Sequence, residues 1–230
     1  MRARRTLVEW LGMGFERRLV RAVRGAAFRL RYRDLYDDTK QQARLLSFAP
    51  RLKDKSVAVV GNAQSLFEHD YGSLIDSHDI VLRFNKGFVT NPLKQGRQTD
   101  ILSLAYGLSL QEIREHFGDA AVIWVTPLRE LMAKDLLNNR HNVPCVPFSL
   151  WRELYVEMNG VRPSAGTITI KLLRTLFEPM KISLFGFDWK ATKTFYHDKD
   201  ERGWHDWQSE MQLVRRWISE DSRLSLHPRN

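Results

Sequence analysis

From Val57 onward, short apolar segments that favour β-strands alternate with segments that have the apolar spacing of helices. The strand candidates are Val57–Val60, Ile80–Phe84, Asp100–Leu104, Ala120–Val125, Val143–Phe148, Lys181–Phe187 and Leu224–His227. The helix candidates are Gln41–Phe48, Leu110–Phe117, Leu128–Leu137, Leu150–Met158, Ser164–Phe177 and Trp207–Ile218. This alternation predicts an α/β fold with a mostly parallel sheet and helices on both of its faces.

The stretch from Val57 to Asn85 is typical of the opening βα unit of a nucleotide-binding domain, because a buried strand ends at Gly61 and Asn62. It is not a dinucleotide fingerprint, since Gly72 lies too far along the chain to join Gly61 in a Gly-x-Gly-x-x-Gly turn. No Gly-Lys-Ser/Thr follows, which excludes a P-loop. The stretch therefore predicts a nucleotide site of another kind.

Two asparagines follow predicted strands, Asn62 after the first and Asn85 after the second. Ligands of parallel sheets bind beyond the carboxyl ends of the strands, so both side chains are expected at that edge. An asparagine offers one acceptor and one donor group, which suits a phosphate oxygen and a sugar hydroxyl. The alternative is an Asx-turn that only shapes the loop.

Three blocks, in this order along the chain, resemble the large, small and very small sialylmotifs of the sialyltransferase family. The first comprises Val59-Val60-Gly61-Asn62, Ile75-Asp76-Ser77-His78-Asp79 and Val81-Leu82-Arg83-Phe84-Asn85; the second comprises Pro163-Ser164-Ala165-Gly166 and Leu184-Phe185-Gly186-Phe187; the third runs from His205 to Glu210. The resemblance implies a single Rossmann-like domain, a variant of the glycosyltransferase A type. It also implies an inverting, metal-independent enzyme that moves a sialic acid from CMP-sialic acid to a hydroxyl of a glycan or glycolipid acceptor.

The resemblance assigns eight residues to the donor. They are Gly61, Asn62, Asn85, Ser164, Ala165, Gly166, Gly186 and Phe187. Taken alone, Ser164 is the natural N-cap of a helix, and Gly186 with Phe187 is typical of a core strand that ends in a turn. Family members often have a hydroxyl residue where this chain has Ala165.

Catalysis is expected at two histidines. A histidine at the start of a helix, as His205 is, can titrate near neutrality and take a proton from a sugar hydroxyl. The resemblance makes His205 the base and His197 a ligand of the leaving phosphate, and Glu210 is expected to support the base. The alternative for His205 is a local hydrogen bond to Glu210 or solvent. No metal or other cofactor is expected, because the histidines do not pair with cysteines or carboxylates at ligand spacing.

The net charge of +9 is concentrated at the N-terminus, where residues 1–33 contain ten arginines, no lysine and two glutamates. This segment carries +8 and leaves +1 for the rest of the chain, which argues against a nucleic-acid partner. We expect three parts: a basic amphipathic arm (1–33), a connector (34–54) and a catalytic domain (55–230).

Within the arm, residues 15–31 have helical spacing, with apolar and arginine-rich faces. The apolar face contains Phe15, Leu19, Val23, Ala26, Ala27 and Leu30, and the basic face contains Arg17, Arg18, Arg21, Arg24 and Arg31. Such a helix suits the surface of an anionic membrane, and the alternative is a helix that packs on the domain.

The expected location is the cytoplasm of a bacterium, with peripheral contact to the inner membrane. Arginines interrupt every apolar run of the arm, so neither a membrane span nor a secretory signal is expected. The single cysteine, Cys145, reads as an inert buried thiol. At the positions where animal members of the resembled family form a disulfide, this chain has Val57 and Phe177.

Two other functions stay open. One is transfer from CMP-3-deoxy-octulosonic acid in lipopolysaccharide or capsule synthesis, because that sugar is also carried on CMP. The other is a non-catalytic module that binds a sugar nucleotide or a nucleic acid.

Overall fold

The computed structural model describes residues 23–197 and 205–227. Its centre is a six-stranded sheet with the order β4-β3-β2-β1-β5-β6. The strands are β1 (Ser56–Val60), β2 (Ile80–Phe84), β3 (Ile101–Leu104), β4 (Ala121–Trp124), β5 (Lys181–Phe185) and β6 (Leu224–Leu226). All pairings between these strands are parallel, which confirms the predicted α/β class.

Helices cover both faces of the sheet. The α-helices are α1 (residues 23–31), α2 (Asp38–Leu52), α3 (Gly72–Asp76), α4 (Pro92–Gln95), α5 (Leu110–Phe117), α6 (Lys134–Asn138), α7 (Phe148–Glu157), α8 (Ala165–Leu172) and α9 (Trp207–Glu220). Short 3₁₀ turns occupy Arg33–Tyr36, Gln64–Glu68, Arg129–Leu131 and Arg140–Asn142, and a π-helical turn occupies Leu173–Phe177.

The run of valines in β1 is explained by burial on both sides of the sheet. Val57 and Val59 enter the largest core cluster, whereas Ala58 and Val60 pack into a smaller cluster on the opposite face. A strand covered on both faces has no solvent-facing positions, so its sequence is continuously apolar rather than alternating.

The order in which the chain adds strands to the sheet reverses between β1 and β5. From β1 the chain proceeds through β2 and β3 to β4, and it later adds β5 and β6 on the other side of β1. Open α/β sheets leave a crevice at such a switch point, beyond the carboxyl ends of the strands. Gly61 follows β1 and Gly186 follows β5, so two of the predicted donor-binding residues flank this crevice.

Residues 34–54, which we expected to connect the arm to the domain, contribute Leu35, Leu45 and Leu52 to the hydrophobic cores. The buried amide of Gln41 accepts the backbone N–H of Cys145 at 2.8 Å. This segment is therefore packed against the sheet domain along its length.

The prediction of a strand over Val143–Phe148 is wrong. Only Cys145 forms an isolated bridge, to Trp124 of β4. Pro144 and Pro147 lack the N–H groups that a ladder needs. The carboxylate of Asp38 accepts the N–H of Phe148 at 2.7 Å and so favours the start of α7 there.

The helix predicted over Leu128–Leu137 is interrupted. Its first part is the 3₁₀ turn Arg129–Leu131, and α6 begins only at Lys134. The buried guanidinium of Arg129 donates to the carbonyl groups of Thr126 and Val146, which fixes this segment to its neighbours. The sequence pattern did not indicate α3 and α4 because each is shorter than two helical turns.

The described part of the arm, α1, leaves its predicted apolar face open. Val23 is 60% exposed and Leu30 is 79% exposed. Contact with the domain is made instead by Phe28, which packs against the core cluster that contains Leu35 and Leu102. The rest of the arm, including Phe15 and Leu19, lies outside the described residues. Among the described helices, none has the length and apolar character to cross a membrane.

Candidate active site

A cavity of about 360 Å³ opens at the carboxyl edge of the sheet, over the switch between β1 and β5. It brings together the three sequence blocks that are far apart along the chain. Of the predicted site residues, it is lined by Gly61, Asn62, Asn85, Ser164, Ala165, Gly166, Gly186, Phe187, His205 and Glu210.

Gly61 and Gly186 allow the ends of β1 and β5 to approach each other closely. A Cβ atom on Gly61 would lie 2.4 Å from the carbonyl oxygen of Gly186. Because that oxygen is a backbone atom, no rotation of a side chain can relieve this clash. Gly186 has a φ of 65°, in the left-handed region that favours glycine. The floor of the cavity therefore requires both glycines.

The two predicted asparagines hold neighbouring strand ends while they line the cavity. Asn62 donates from Nδ2 to the carbonyl oxygen of Phe84 at 3.1 Å. Asn85, with a φ of 50°, accepts the N–H of Ala105 at 2.9 Å through Oδ1. Neither of these contacts is an Asx-turn, because the partners lie 22 and 20 positions away along the chain, and both residues line the cavity.

Ser164 caps α8, as its position predicts, by accepting the N–H of Thr167 at 3.3 Å. Its own hydroxyl donates to Glu210 at 2.5 Å, and its backbone N–H donates to the same carboxylate at 2.8 Å. The hydroxyl of Thr167 donates to Glu210 as well. Glu210 is only 1% exposed, so its carboxylate is a buried anchor between α8 and α9.

His205 lies directly before Asp206, the N-cap of α9. Its Nδ1 atom is 2.9 Å from the carbonyl oxygen of Arg162 and 3.6 Å from Oε1 of Glu210. A carbonyl oxygen can only accept, so Nδ1 carries the proton in the neutral ring and Nε2 does not. This tautomer leaves Nε2 able to act as a base.

Burial raises the pKa of Glu210, and the hydrogen bonds from Ser164 and Thr167 act in the opposite direction. The carboxylate is shielded from solvent but satisfied by three donors and lies beside the imidazole of His205. It is therefore suited to orienting the histidine rather than to transferring a proton itself.

Phe187 forms one wall of the cavity. Its ring lies 6.0 Å, between centroids, from that of Phe84 in an edge-to-face arrangement. A Cβ atom on Gly166 would lie 2.9 Å from Cε1 of Phe187, so the start of α8 packs directly on this ring. The arrangement offers a flat apolar surface of the kind on which a nucleobase stacks.

The loop after β5 contributes residues that the sequence analysis did not assign to the site. Asp188, Trp189, Lys190, Thr192 and Thr194 all line the cavity. Trp189 and Lys190 have φ values of 51° and 66°, which is a strained conformation for two successive residues with side chains. No sequence motif indicates such a conformation.

Two tyrosines were also missed. Tyr106 and Tyr196 line the cavity, and burial raises the pKa of both phenols. The hydroxyl of Tyr196 lies 3.4 Å from Nδ2 of Asn62. The signal that could have indicated Tyr196 is its position directly beside His197 in the sequence.

The predicted phosphate ligand, His197, is exposed and is not among the residues that line the cavity.

Trp207 and Arg162 complete the site. Trp207, the first residue of α9, lines the cavity beside His205, with 5.0 Å between ring centroids. Arg162 supplies both the carbonyl that orients His205 and a cationic side chain. Across residues 23–197 and 205–227, no cluster of three histidine, cysteine or acidic side chains has the arrangement of a metal site.

Comparison with known proteins agrees with this geometry. Residues 27–115 match the sequence profile of glycosyltransferase family 29 (sialyltransferase). A mammalian sialyltransferase in complex with Gal-beta-1-3GalNAc-ortho-nitrophenol is similar to the chain, with a TM-score of 0.57 and 18% identity over 84% of this chain and 79% of that chain. No curated protein matches the sequence.

The sialyltransferase CstII from Campylobacter jejuni is also similar. Its complex with cytidine-5'-monophosphate matches with a TM-score of 0.51 and 15% identity, over 76% of this chain and 79% of that chain. Its complex with the substrate analogue CMP-3FNeuAc gives 0.50 and 14%, over 75% and 79%. The family profile thus confirms the resemblance over residues 27–115, and the solved structures show that the fold is shared.

Proposed function

From this family profile and fold, we propose that the chain transfers a sialic acid from CMP-sialic acid to a hydroxyl of a glycan or glycolipid, with inversion and without a metal ion. The observation that carries the proposal is the contact between Nδ1 of His205 and the carbonyl oxygen of Arg162. It leaves Nε2 unprotonated in a cavity that is built from all three sialylmotif-like blocks.

In the proposed reaction, Nε2 of His205 takes the proton of the acceptor hydroxyl as its oxygen attacks the anomeric carbon. The bond from that carbon to the phosphate oxygen breaks, and CMP leaves with the electron pair. Because the acceptor enters on the face opposite to CMP, the configuration at the anomeric carbon inverts. His205 is the catalytic base and Glu210 is its positioning residue.

The donor is proposed to bind along the carboxyl ends of β1 and β5. The volume of about 360 Å³ lies within the range of sites for small ligands. Solved structures of the similar CstII contain cytidine-5'-monophosphate and CMP-3FNeuAc, which supports a CMP-linked donor here. We propose that the eight residues that the resemblance assigns to the donor bind it. We also propose that His197 contacts the leaving phosphate.

Metal independence is part of the proposal because cationic side chains line the cavity, whereas its acidic side chains are already engaged. Lys190 and Arg162 supply positive charge. Asp188 accepts hydrogen bonds from Ser65 and Thr192, and Glu210 is bound as described above. Addition of EDTA should leave the rate unchanged.

The acceptor is proposed to be presented at a membrane surface. The arginine-rich arm supports this, since Val23 and Leu30 of α1 expose apolar surface next to Arg24 and Arg31. We therefore propose a cytoplasmic protein in peripheral contact with the inner membrane through residues 15–31.

The experiment is CMP release and product formation with two donors, CMP-sialic acid and CMP-3-deoxy-octulosonic acid, on a panel of membrane glycolipids. Transfer from CMP-sialic acid supports the proposal, and NMR of the product reports the anomeric configuration. Transfer from the second donor alone favours the octulosonic acid transferase. Tight CMP binding without turnover of either donor favours a non-catalytic module, and retention on DNA favours its nucleic-acid form.

A further inference from the structure

A single side chain, Lys190, is presented to the cavity by a strained turn. Trp189 and Lys190 are successive residues in the left-handed region, with φ values of 51° and 66°. Non-glycine residues persist in such conformations only where the surrounding structure fixes them.

Asp188 provides that fixation. Its Oδ1 accepts the N–H of Lys190 at 3.1 Å, and its Oδ2 accepts the N–H of Thr192 at 3.1 Å. The hydroxyl of Ser65 donates to Oδ2 at 2.8 Å and ties the turn to the segment that follows β1. The carboxylate is thus used to hold the backbone, and the turn directs Lys190 into the cavity.

The ammonium group of Lys190 lies beside the loop after β1. Its Nζ donates to the hydroxyl of Thr194 at 2.8 Å, and Thr194 forms an antiparallel bridge with Ala63. Nζ also lies 5.9 Å from the ring centroid of Trp207, next to His205. The charge is therefore placed between the Gly61-Asn62 turn and the catalytic histidine.

This ammonium group has no carboxylate partner among residues 23–197 and 205–227. Its described contacts are a neutral hydroxyl and an aromatic ring, and the side chain is half-buried. A half-buried cation with neutral partners is well placed to bind an anionic ligand.

We infer that Lys190 is a catalytic residue that binds the phosphate of the CMP-linked donor and stabilises the charge that develops on it as CMP leaves. The inference rests on the proposed function. As the bond to the anomeric carbon breaks, negative charge grows on the phosphate oxygens, and a positioned ammonium group stabilises it more strongly than it stabilises the bound donor. The phosphate is favoured over the sugar carboxylate because Thr194 places Nζ at the β1 loop, where the backbone turns at Gly61.

The test compares Lys190→Met with Lys190→Arg and with the control Lys193→Met. Lys193 belongs to the same loop, is exposed, and contacts Gln64 only through its backbone carbonyl among the described residues. Calorimetry measures the affinity of each protein for CMP and for cytidine, which lacks the phosphate. Lys190→Gln serves as the neutral variant if the methionine variant has a lowered melting temperature.

Lys190→Met should weaken CMP binding about ten- to a hundredfold, leave cytidine binding unchanged and lower kcat, because a charge-assisted hydrogen bond is lost. Lys190→Arg should retain most of the CMP affinity, and Lys193→Met should match the wild type. Unchanged CMP affinity of Lys190→Met would overturn the inference. This holds also if the KM for CMP-sialic acid rises while the CMP affinity is unchanged, because that result would assign Nζ to the sugar carboxylate instead of the phosphate. A wild-type chain that binds neither CMP nor cytidine contradicts the proposed function itself.

Discussion

Oε1 of Glu210 lies 3.6 Å from Nδ1 of His205, and the same atom accepts the backbone N–H of Ser164 at 2.8 Å. One buried carboxylate therefore joins the proposed base to the start of α8, where the donor is proposed to bind. The two motif-like blocks that contribute these residues are coupled through this group.

Glu210→Gln should reduce transfer about ten- to a hundredfold, because a misplaced reacting group is costly even when the change in position is small. It should also lower the free energy of unfolding by about 1–3 kcal/mol, since an amide cannot accept from Ser164 and Thr167 as a carboxylate does. Urea unfolding and initial rates measure the two effects. Glu220→Gln, at the exposed end of the same helix, is the control, and equal effects of the two variants would contradict the anchoring role.

Gly61→Ala should abolish CMP binding and lower the free energy of unfolding by about 1–3 kcal/mol. The added Cβ atom would lie 2.4 Å from the backbone oxygen of Gly186, so the carboxyl ends of β1 and β5 must separate. Thermal unfolding and calorimetry with CMP measure these changes. Gly25→Ala in α1, which meets nothing within 4 Å, should leave both quantities unchanged; normal CMP binding by Gly61→Ala would contradict the proposed donor site.

Asp221→Asn should destabilise the protein at pH 7 and lose its effect in acid. The hydrogen bond from Arg223 is the largest influence on Asp221 and, with Arg174, lowers the pKa of this carboxyl from 3.8 to about 2. A depressed pKa in the folded state stabilises the protein above pH 3.8, and this contribution is lost as the pH falls toward 2.

We expect a difference of about 1–2 kcal/mol at pH 7 between wild type and Asp221→Asn, which shrinks below pH 4. Urea unfolding at a series of pH values measures it. A difference that stays constant down to pH 3 would show that the ion pairs with Arg174 and Arg223 do not contribute in this way.

Leu30→Asp should weaken binding to anionic phosphatidylglycerol vesicles about tenfold, because burial of a leucine stabilises by about 1.5–3 kcal/mol. Leu30 is 79% exposed, so the variant should fold normally. Vesicle sedimentation measures the bound fraction. Met180→Asp, at an exposed position before β5, is the control; a wild-type chain that does not sediment with these vesicles contradicts the membrane proposal.

Most of the fold could be predicted from the sequence, because the strands are buried on both faces and are therefore continuously apolar. Val57–Val60 and Ile80–Phe84 were predicted nearly to their observed ends. The error at Val143–Phe148 has a local cause, since two prolines cannot donate to a ladder even where the residues are apolar. Helices as short as Pro92–Gln95 were not predicted, because four residues are too few to show the periodicity of a helix.

For the site, the motifs indicated the residues but not the contacts between them. His205 and Glu210 were singled out, yet the carbonyl of Arg162 that fixes the tautomer lies 43 positions away and is a backbone group with no sequence signal. Lys190 was missed for a similar reason: its orientation depends on a left-handed backbone that a lysine does not favour on its own.

The most direct test of the proposed function is the transfer rate of His205→Ala with CMP-sialic acid, measured beside its calorimetric affinity for CMP. We expect a rate about 10²–10⁴-fold below that of the wild type, the range that general-base catalysis contributes, with CMP affinity retained. His141→Ala, which replaces an exposed histidine beside Arg44 outside the cavity, should keep the full rate. A His205→Ala protein that transfers at the wild-type rate contradicts the assignment of His205 as the base.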